Sequence, residues 1–409
     1  MKGTLGSRAV VLGAGIIGAA CARELALMGF DVLVVDRGGA AGATTAHGEG
    51  NVLVSDKGPG PELELARLSR RLWPETLAAL AERHPHAARS VEWDPKGGIV
   101  IATTDAGARA LTRFAAAQRA AGVRADVLDA GALAAAEPFA TRDHAAALHY
   151  PEDAQVQPAA AATALLTDAL AAGAELRTGC EVLGAVTRGA RLTAVRTATG
   201  PLEADLFVNA AGPWAGALSA RLGAPVDVRP RRGDVLVTAP LPPTVFHKVY
   251  DADYVAAVGS SAEALQTSAV VEATRGGSVL LGSSRRRVGF DDRLRPAVLS
   301  AVAAKALRLF PTLAGAMVTR AYGGFRPYVP DHLPVIGADP RLAGLWHAGG
   351  HEGAGIGLSV GTARLLRDLV SGRPTEIDAT AFRVARPAVL GPVRRPPDGA
   401  LAPPEEGAR

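Results

Sequence analysis

The amino-acid sequence predicts an α/β protein that combines a doubly wound parallel sheet with an interleaved α+β domain built on a mixed or antiparallel sheet. The first observation is a strand, helix, strand order near the start, where apolar residues 8–12 and 31–35 flank a helical pattern over residues 16–29. The second is a central region in which apolar and polar residues alternate as they do in strands. The third is the length of 409 residues, which is enough for two domains.

The remaining elements follow from hydrophobic spacing and from the positions of glycine and proline. Helices are predicted at residues 62–83, 106–121, 157–172 and 299–309. Strands are predicted at residues 98–102, 174–182, 206–209, 229–239 and 344–348, with a hairpin over residues 270–284 that turns at Arg275-Gly276-Gly277. Residues 38–51 are predicted to form a closely packed loop, residues 322–337 are interrupted by Gly and Pro, and residues 349–357 open the last long helix.

Composition and charge exclude several classes of protein. The net charge of +4 is small for 409 residues, and no basic stripe with interleaved aromatic residues indicates nucleic-acid binding. The triplet Arg285-Arg286-Arg287 is interpreted as a solvated basic face, with attraction of an anionic substrate or of a partner subunit as the alternative. No apolar segment is long enough to span a membrane, and the apolar N-terminal segment is interpreted as a strand and helix rather than as a secretory signal.

The two cysteines give no sign of a disulfide framework or of a metal cluster. Cys21 and Cys180 lie far apart and in unlike contexts. We therefore expect no metal site and a cytoplasmic protein.

The glycine-rich turn Gly13-Ala14-Gly15-Ile16-Ile17-Gly18 predicts a dinucleotide site in a Rossmann-like domain. It follows a strand and opens a helix, so that Gly13 permits the turn, Gly15 lets a pyrophosphate approach and Gly18 lets helix and strand pack. The helix N-terminus stabilises phosphate charge. Asp36 ends the second strand, where its carboxylate accepts hydrogen bonds from ribose hydroxyls, and Arg37 adjoins it. This motif alone does not separate NAD from FAD.

Four further segments carry a resemblance to a known family. They are residues 42–51, the run Asn209-Ala210-Ala211-Gly212-Pro213-Trp214, the run Gly324-Phe325-Arg326-Pro327 with residues 330–337, and the Gly-rich residues 349–358. In this order they resemble the D-amino-acid oxidase (DAO) family of FAD-dependent oxidoreductases, which includes glycine oxidase, sarcosine oxidase and D-amino-acid dehydrogenase. The resemblance covers residues 8–382.

The resemblance implies that FAD is bound, and we expect it to be held without a covalent bond. Beyond the glycine turn, Asp36 and Arg37, the residues implied in FAD binding are Thr44, Thr45, His47, Gly48, Gly50, Asn51, Val182, Ala210, Ala211, Gly212, Trp214, Gly324, Arg326, Gly350, His351, Gly353, Gly355, Ile356 and Gly357. The helix that begins near Gly355 offers free amides and positive dipole charge to the flavin, which favours its reduced anion. A covalent bond from His47 to the flavin is the alternative.

The resemblance also implies the domain limits. Residues 6–85, 148–225 and 322–386 are expected to form the FAD-binding domain, and residues 86–147 and 226–321 the substrate domain. Residues 387–409, rich in Pro, Gly, Ala and charge, are expected to form a disordered tail.

Four residues are candidates for direct action on the substrate. Arg326 is expected to bind a substrate carboxylate through two parallel hydrogen bonds, with a structural salt bridge as the alternative. His351 is expected either to pack over the flavin edge or to accept a proton from the substrate ammonium. Tyr254 and Tyr322 are expected to orient the substrate, with a place in the core or on the surface as the alternative.

The resemblance implies oxidation of the carbon–nitrogen bond of an amino or imino acid by hydride transfer to flavin N5, giving an imine that water hydrolyses. D-amino acids, glycine derivatives, hydroxyproline and opines all remain admissible substrates. Residues 49–57 and 350–357 are similar to the catalytic subunits of opine and hydroxyproline dehydrogenases, which implies an electron-transfer partner subunit. The alternatives are an FAD-dependent 2-hydroxy-acid dehydrogenase and a flavin-bearing subunit that only relays electrons.

Overall fold

The computed structural model describes residues 7–391. Its strands are β1 (Arg8–Leu12), β2 (Asp31–Val35), β3 (Asn51–Val52), β4 (Gly98–Ala102), β5 (Asp126–Leu128), β6 (Ala146–Tyr150), β7 (Ala154–Gln155), β8 (Glu175–Arg177), β9 (Val182–Arg188), β10 (Arg191–Thr197), β11 (Gly200–Glu203), β12 (Leu206–Asn209), β13 (Arg229–Thr238), β14 (Lys248–Asp251), β15 (Gln266–Ala273), β16 (Val279–Arg285), β17 (Val318–Tyr328), β18 (Val335–Ala338) and β19 (Leu345–Gly349).

The helices are α1 (Ile16–Leu27), α2 (Pro61–Arg83), α3 (Pro85–Ser90), α4 (Asp105–Ala120), α5 (Ala130–Ala136), α6 (Pro158–Ala171), α7 (Ala215–Arg221), α8 (Asp253–Val258), α9 (Pro296–Leu309), α10 (Gly355–Ser371) and α11 (Pro387–Leu390). Short 3-10 turns form at Thr44–His47, Gly212–Trp214, Pro311–Gly315, Glu352–Ala354 and Thr380–Phe382.

The first sheet places the ends of its parallel strands along one edge. Its order is β18-β19-β12-β1-β2-β8, and every pair is parallel except β18 with β19. Helices α1 and α10 follow β1 and β19 in the chain and pack against each other. Because β1 and β19 run in the same direction, both helices begin at the carboxyl edge of the sheet, where doubly wound proteins bind their ligands.

The second large sheet is mostly antiparallel. Its order is β17-β13-β16-β15-β14-β4-β6-β5, with β4 and β14 as its one parallel pair among the described residues. Strand β17 forms one edge, and it packs against the 3-10 turns Thr44–His47, Gly212–Trp214 and Glu352–Ala354 at the carboxyl edge of the first sheet. A third sheet, β11-β10-β9, is a small antiparallel meander. The predicted α/β fold class is confirmed.

Strand β17 differs from the element expected in its region. Residues 322–337 were expected only as a stretch interrupted by Gly and Pro, but Val318–Tyr328 is one long strand paired with β13. An edge strand tolerates Pro327 because one side of its ladder has no partner to lose. The strand crosses the predicted boundary at residue 322, and β6 likewise crosses the one at residue 148. The predicted domain division therefore stays a prediction, with its limits displaced by a few residues.

The C-terminal prediction is wrong for the first residues of the expected tail. Pro387–Leu390 forms the short helix α11, in which Val389 is buried and its carbonyl accepts a hydrogen bond from the amide of Asp227. Residues 392–409 lie outside the described residues. Within the described part of the chain, no helix is long and apolar enough to cross a membrane.

Candidate active site

The glycine turn brings β1, α1 and the loop after β12 into close contact. Gly13 has a φ of 119°, and a Cβ there would lie 2.5 Å from the carbonyl oxygen of Ala210. A Cβ on Gly18 would lie 1.8 Å from the carbonyl oxygen of Gly13. Only glycine fits either position, so helix α1 can start directly against the strand and present its first amides at the edge of the sheet.

Asp36 and Thr45 organise the start of helix α1. The two carboxylate oxygens of Asp36 accept hydrogen bonds from the backbone amides of Ala14 and Gly38, each at 2.8 Å. The hydroxyl of Thr45 accepts one from the amide of Ile16 at 3.0 Å. The following amides, of Ile17 and Gly18, have no partner within the helix and are the donors that a diphosphate needs.

The next wall of this site comes from the loop after β12. Gly212 has a φ of 54° and open space where a Cβ would stand. The guanidinium of Arg37 lies 4.3 Å from the centre of the Trp214 ring. Val182 is buried with the first sheet, and the nearby amide of Cys180 donates to the carbonyl of Asp36. Arg37 and Trp214 are thus in direct contact, and the backbone of Cys180 is hydrogen-bonded to that of Asp36.

The opposite end of the site is built around the start of helix α10. A Cβ on Gly357 would lie 2.9 Å from the carbonyl oxygen of Asn51, and one on Gly48 would lie 2.7 Å from Cδ1 of Ile356. Gly50, at a φ of 93°, packs against the carbonyl of Val156. The residue 44–51 loop therefore lies directly against the N-terminus of α10, where unpaired amides and the helix dipole favour negative charge.

His47, a residue of this loop, contacts strand β17. Its Nδ1 is 2.7 Å from the carbonyl oxygen of Ala43, and its ring meets the Tyr322 ring edge-on at 5.7 Å between centres. A Cβ on Gly324 would lie 2.8 Å from Cβ of His47. The hydroxyl of Thr44 also donates to the carbonyl of Phe325 at 2.7 Å. The loop predicted to cover the flavin and the Arg-Pro segment of β17 are thus joined by direct contacts.

His351 is buried and contacts helix α10. It is 2% exposed, and its Nε2 is 2.9 Å from the hydroxyl of Thr362 inside helix α10. Burial lowers the pKa of His351 to about 3, so the ring is neutral at pH 7. The choice between packing over the flavin and accepting a substrate proton therefore stays a prediction. Gly350, at a φ of 76°, packs against Val329.

These residues fit an adenine dinucleotide carrying a flavin. The N-terminus of α1 and the carboxylate of Asp36 would hold the diphosphate and a ribose at one end of the cofactor, and the N-terminus of α10 would stabilise negative charge at the other. The residues that would hold FAD are Gly13, Gly15, Ile16, Ile17, Gly18, Asp36, Arg37, Thr45, Ala210, Ala211, Gly212 and Trp214 at the first end, and Thr44, His47, Gly48, Asn51, Gly353, Gly355, Ile356 and Gly357 at the second.

Arg326 lies beside the second helix start without an acidic partner. It is paired across the sheet with Arg231, and its guanidinium covers Gly233, where a Cβ would lie 2.1 Å from Nη1. Its Nε and Cδ lie 3.5 Å and 3.6 Å from the position of a Cβ on Gly353. Within the described residues, its one hydrogen bond runs from Nη1 to the carbonyl oxygen of Ser284 at 2.9 Å. The salt bridge considered as an alternative for Arg326 is absent from residues 7–391.

Burial, with the charges of Arg285 and Arg231 and against the opposing effects of Tyr254 and Glu49, lowers the pKa of Arg326 to about 10. The group stays cationic at neutral pH. A cation in this position is stabilised by an anion, and a carboxylate has the geometry to accept two of its hydrogen bonds.

Tyr254 contacts Arg285, whereas Tyr322 contacts His47 and Arg320. Tyr254 is 5% exposed, and with Asn51 and Gly353 it lines a small cavity at the start of α10. Burial, followed by the charge of Glu49, raises the pKa of Tyr322 to about 12, so its hydroxyl is neutral at pH 7. Their roles toward a substrate stay predictions.

Two groups of residues near this site were missed by the sequence analysis. Arg231 is fully buried and pairs with Glu352 at 3.2 Å, and Glu352 also contacts Nδ1 of His332 at 3.0 Å. Lys248 is buried between Glu272 at 3.3 Å and Glu49 at 3.5 Å. The signal available in the sequence was the position of Arg231 and Lys248 inside apolar, strand-like segments, where an unpaired charge is costly.

The arginine triplet after the hairpin is not a solvated face. Arg285 and Arg286 are 3% and 5% exposed, and Arg287 pairs with Glu263 at 2.9 Å. The expectation of a solvated basic face is therefore wrong. Strand β16 continues to Arg285, and Arg286 forms a β-bridge with Arg232 of β13. The triplet therefore lies along the second large sheet.

Comparisons with known proteins agree with this geometry. Residues 8–369 match the DAO family, described as FAD dependent oxidoreductase. The chain is 31% identical to glycine oxidase of Geobacillus kaustophilus over 92% of this chain and 96% of that protein. It is 29% identical to D-amino acid dehydrogenase of Cereibacter sphaeroides over 95% of this chain and 97% of that one. The crystal structure of the Geobacillus kaustophilus glycine oxidase superposes with a TM-score of 0.84 and 28% identity, covering 93% of this chain and 99% of that chain.

Proposed function

Because the chain belongs to the DAO family of FAD-dependent oxidoreductases, we propose that it oxidises the carbon–nitrogen bond of an amino or imino acid whose carboxylate is bound by Arg326. The enzyme is FAD-dependent, as its family is. The observation that carries the proposal is the geometry of Arg326, which lies beside the N-terminus of α10 with no carboxylate within salt-bridge distance among the described residues. A substrate carboxylate supplies the missing charge.

FAD, when bound, accepts the hydride at flavin N5. The protein's own contribution is position: Arg326 fixes the carboxylate, and with it the α-carbon, on the side of the site next to Gly353. The buried Tyr254 covers the adjoining cavity and helps to exclude water. The start of α10 stabilises negative charge at the ring end of the cofactor.

The state of His351 favours an amine over an alcohol as substrate. Oxidation of a 2-hydroxy acid requires a base for the hydroxyl proton, whereas a neutral amine needs only correct placement for hydride transfer. With a pKa lowered to about 3 by burial, His351 is a weak base near neutral pH. We therefore place the 2-hydroxy-acid alternative second.

The electron acceptor and the location are further parts of the proposal. Relatives of this chain are named both as an oxidase and as a dehydrogenase, so oxygen and a partner subunit are both acceptors to be tried. Cys21 and Cys180 are both free thiols, which supports a reducing compartment such as the cytoplasm.

The experiment is a product assay with purified holoenzyme. A panel of D- and L-amino acids, N-alkyl glycines, hydroxyproline isomers and opines is supplied in air and with an artificial dye acceptor, beside the matching 2-hydroxy acids. The proposal expects a 2-oxo acid together with ammonia or an amine from at least one nitrogen compound. Turnover confined to 2-hydroxy acids contradicts it.

A further inference from the structure

One buried arginine near the substrate position has no acidic partner. The arginines buried among residues 7–391 are Arg23, Arg231, Arg232, Arg285, Arg286 and Arg386. Five of them have a carboxylate within 4.0 Å: Arg23 with Asp168 at 2.6 Å, Arg231 with Glu352 at 3.2 Å, Arg232 with Asp234 at 2.9 Å, Arg286 with Asp234 at 3.2 Å and Arg386 with Asp331 at 2.8 Å. Arg285 is the exception, although a buried guanidinium is costly unless it is paired.

The contacts of Arg285 do not neutralise its charge. Its Nη1 donates to the hydroxyl of Ser283 at 3.2 Å, and its guanidinium lies 4.6 Å from the centre of the Tyr254 ring. A hydroxyl and the face of an aromatic ring stabilise a cation only in part. Arg285 therefore has a full positive charge and unused donors at a buried position.

The sheet directs Arg285 to the same face as Arg326. Arg231 and Arg326 are opposite each other in the β13–β17 pair, so their side chains share a face. Arg286 is bridged to Arg232, the next residue of β13. Because side chains alternate along a strand, Arg285 points to the face opposite to that of Arg286 and Arg232, which is the face of Arg326.

The two guanidinium groups are close enough to repel each other. After burial, Arg285 is the strongest influence that lowers the pKa of Arg326 to about 10. Tyr254 lies near both groups. It contacts Arg285, and it lines the cavity at Gly353, beside which Arg326 also lies. An anion that bridges both groups would relieve the repulsion.

The acids nearby are already engaged. Glu352 pairs with Arg231 at 3.2 Å and contacts His332 at 3.0 Å. Oε2 of Glu49 accepts from Asn51 at 3.1 Å and lies 3.5 Å from Lys248. Burial raises the pKa of Glu49, but Lys248, Asn51, Arg326 and Arg285 together lower it below its usual value, so Glu49 is one anion shared among several cations.

We propose that Arg285 and Arg326 together bind a substrate with two carboxylates, so that the preferred substrates are dicarboxylic amino or imino acids. The inference rests on the proposed amine oxidation and specifies its substrate class. Arg326 holds the carboxylate next to the reacting carbon, and Arg285 holds the distal one above Tyr254.

The test compares each diacid with its monoamide, which has the same shape and one charge less. The pairs are aspartate with asparagine and glutamate with glutamine, in both enantiomers, and iminodiacetate with its monoamide. We expect kcat/KM of the holoenzyme to favour the diacid of at least one pair by roughly 30-fold or more, and Arg285→Gln to reduce that ratio by a similar factor. Arg285→Lys, which keeps the charge and loses the planar fork, should retain part of the ratio.

Arg286→Gln is the matched control, because Arg286 is the next residue, is equally buried and leaves Asp234 paired with Arg232. Its ratio of diacid to monoamide kcat/KM should match that of the unsubstituted enzyme. FAD content and melting temperature of each variant show whether it is folded. If Arg285→Gln does not fold, Arg285→Lys takes its place: a smaller ratio of diacid to monoamide kcat/KM supports the inference, and an unchanged ratio overturns it.

A binding measurement separates this inference from the proposed function. Malonate and succinate, and their monoamides, are titrated into the oxidised holoenzyme while the visible flavin spectrum is followed. Tighter binding of the diacids that is lost in Arg285→Gln supports the anion site even if no amine is oxidised. Oxidation of amino acids without any diacid preference, in turnover and in binding, overturns the inference and leaves the proposed function in place.

Discussion

At the scale of single residues, we predict that Asp36 contributes strongly to FAD affinity. Its oxygens accept from Ala14 and Gly38, which fixes the carboxylate at the end of β2. Asp36→Asn should weaken FAD binding by roughly 10- to 100-fold, because a charged acceptor becomes a neutral one. Fluorescence titration of apoprotein with FAD measures the change. Asp31→Asn is the control, since Asp31 begins the same strand with a side chain that is 56% exposed. Equal affinities in both variants would contradict the assignment of Asp36.

The buried His351 makes a prediction about acid stability. Burial lowers its pKa in the folded protein to about 3, below the roughly 6.5 of an unfolded chain. The unfolded chain therefore binds the proton first, and stability is lost as the pH falls below 6.5. The unsubstituted protein should lose about 2 kcal/mol of unfolding free energy from this group between pH 7 and pH 5. His351→Gln should lack this loss in denaturant titrations at the two pH values, and identical losses would show that the histidine is not buried in its neutral form.

The family resemblance indicated Arg326 as the carboxylate ligand, which stays a prediction, but nothing in the sequence indicated the environment of Arg285. A run of three arginines is typical of a solvated surface, and only the pairing of β16 with β13 and β15 carries Arg285 into the interior. Likewise, nothing local to Gly349-Gly350-His351 reports that the ring turns toward Thr362. Side-chain direction depends on tertiary contacts that hydrophobic spacing does not contain.

At the scale of elements, the start of α1 depends on the absence of a side chain at Gly18. A Cβ there would lie 1.8 Å from the carbonyl oxygen of Gly13. Because that oxygen belongs to the backbone, it can move away only if the helix separates from the strand. Gly18→Ala should lower the free energy of unfolding by about 3 kcal/mol and reduce FAD content. Melting temperature and flavin absorbance of the purified protein measure both. Gly39→Ala, at a position with nothing within 4 Å, should leave both unchanged. A stable, yellow Gly18→Ala protein would contradict this packing.

The elements nearest the N-terminus were the most predictable, because local signals agree there. Strand, glycine turn, helix and second strand match β1, α1 and β2 within a few residues. Strand β17 was missed, since Gly323, Gly324 and Pro327 weaken the local strand signal, and its pairing partner β13 lies far away in sequence. Gly324 leaves room for His47, and Gly323 leaves room for the guanidinium of Arg232, so the weak strand signal has a structural cause.

At the scale of the whole molecule, the site exists because two sheets meet at one edge. The carboxyl ends of β1, β2, β12 and β19 supply the cofactor loops, and the edge strand β17 of the second sheet supplies Arg326. The sequence order of these segments was predictable from their resemblance to a family. Their convergence was not, because it depends on the parallel pairing of strands separated by long insertions.

The central claim is that substrate carboxylate binds Arg326 beside a reducible FAD. Anaerobic mixing of the holoenzyme with its best amine substrate, followed by the loss of visible flavin absorbance, tests it most directly. We expect rapid bleaching in the unsubstituted enzyme. Arg326→Met should slow it roughly 100- to 1,000-fold at limiting substrate. Arg188→Met, which changes an exposed arginine of the small sheet, should leave the rate unchanged. Bleaching that is equally fast in Arg326→Met, or a purified protein that takes up no FAD, would contradict the account.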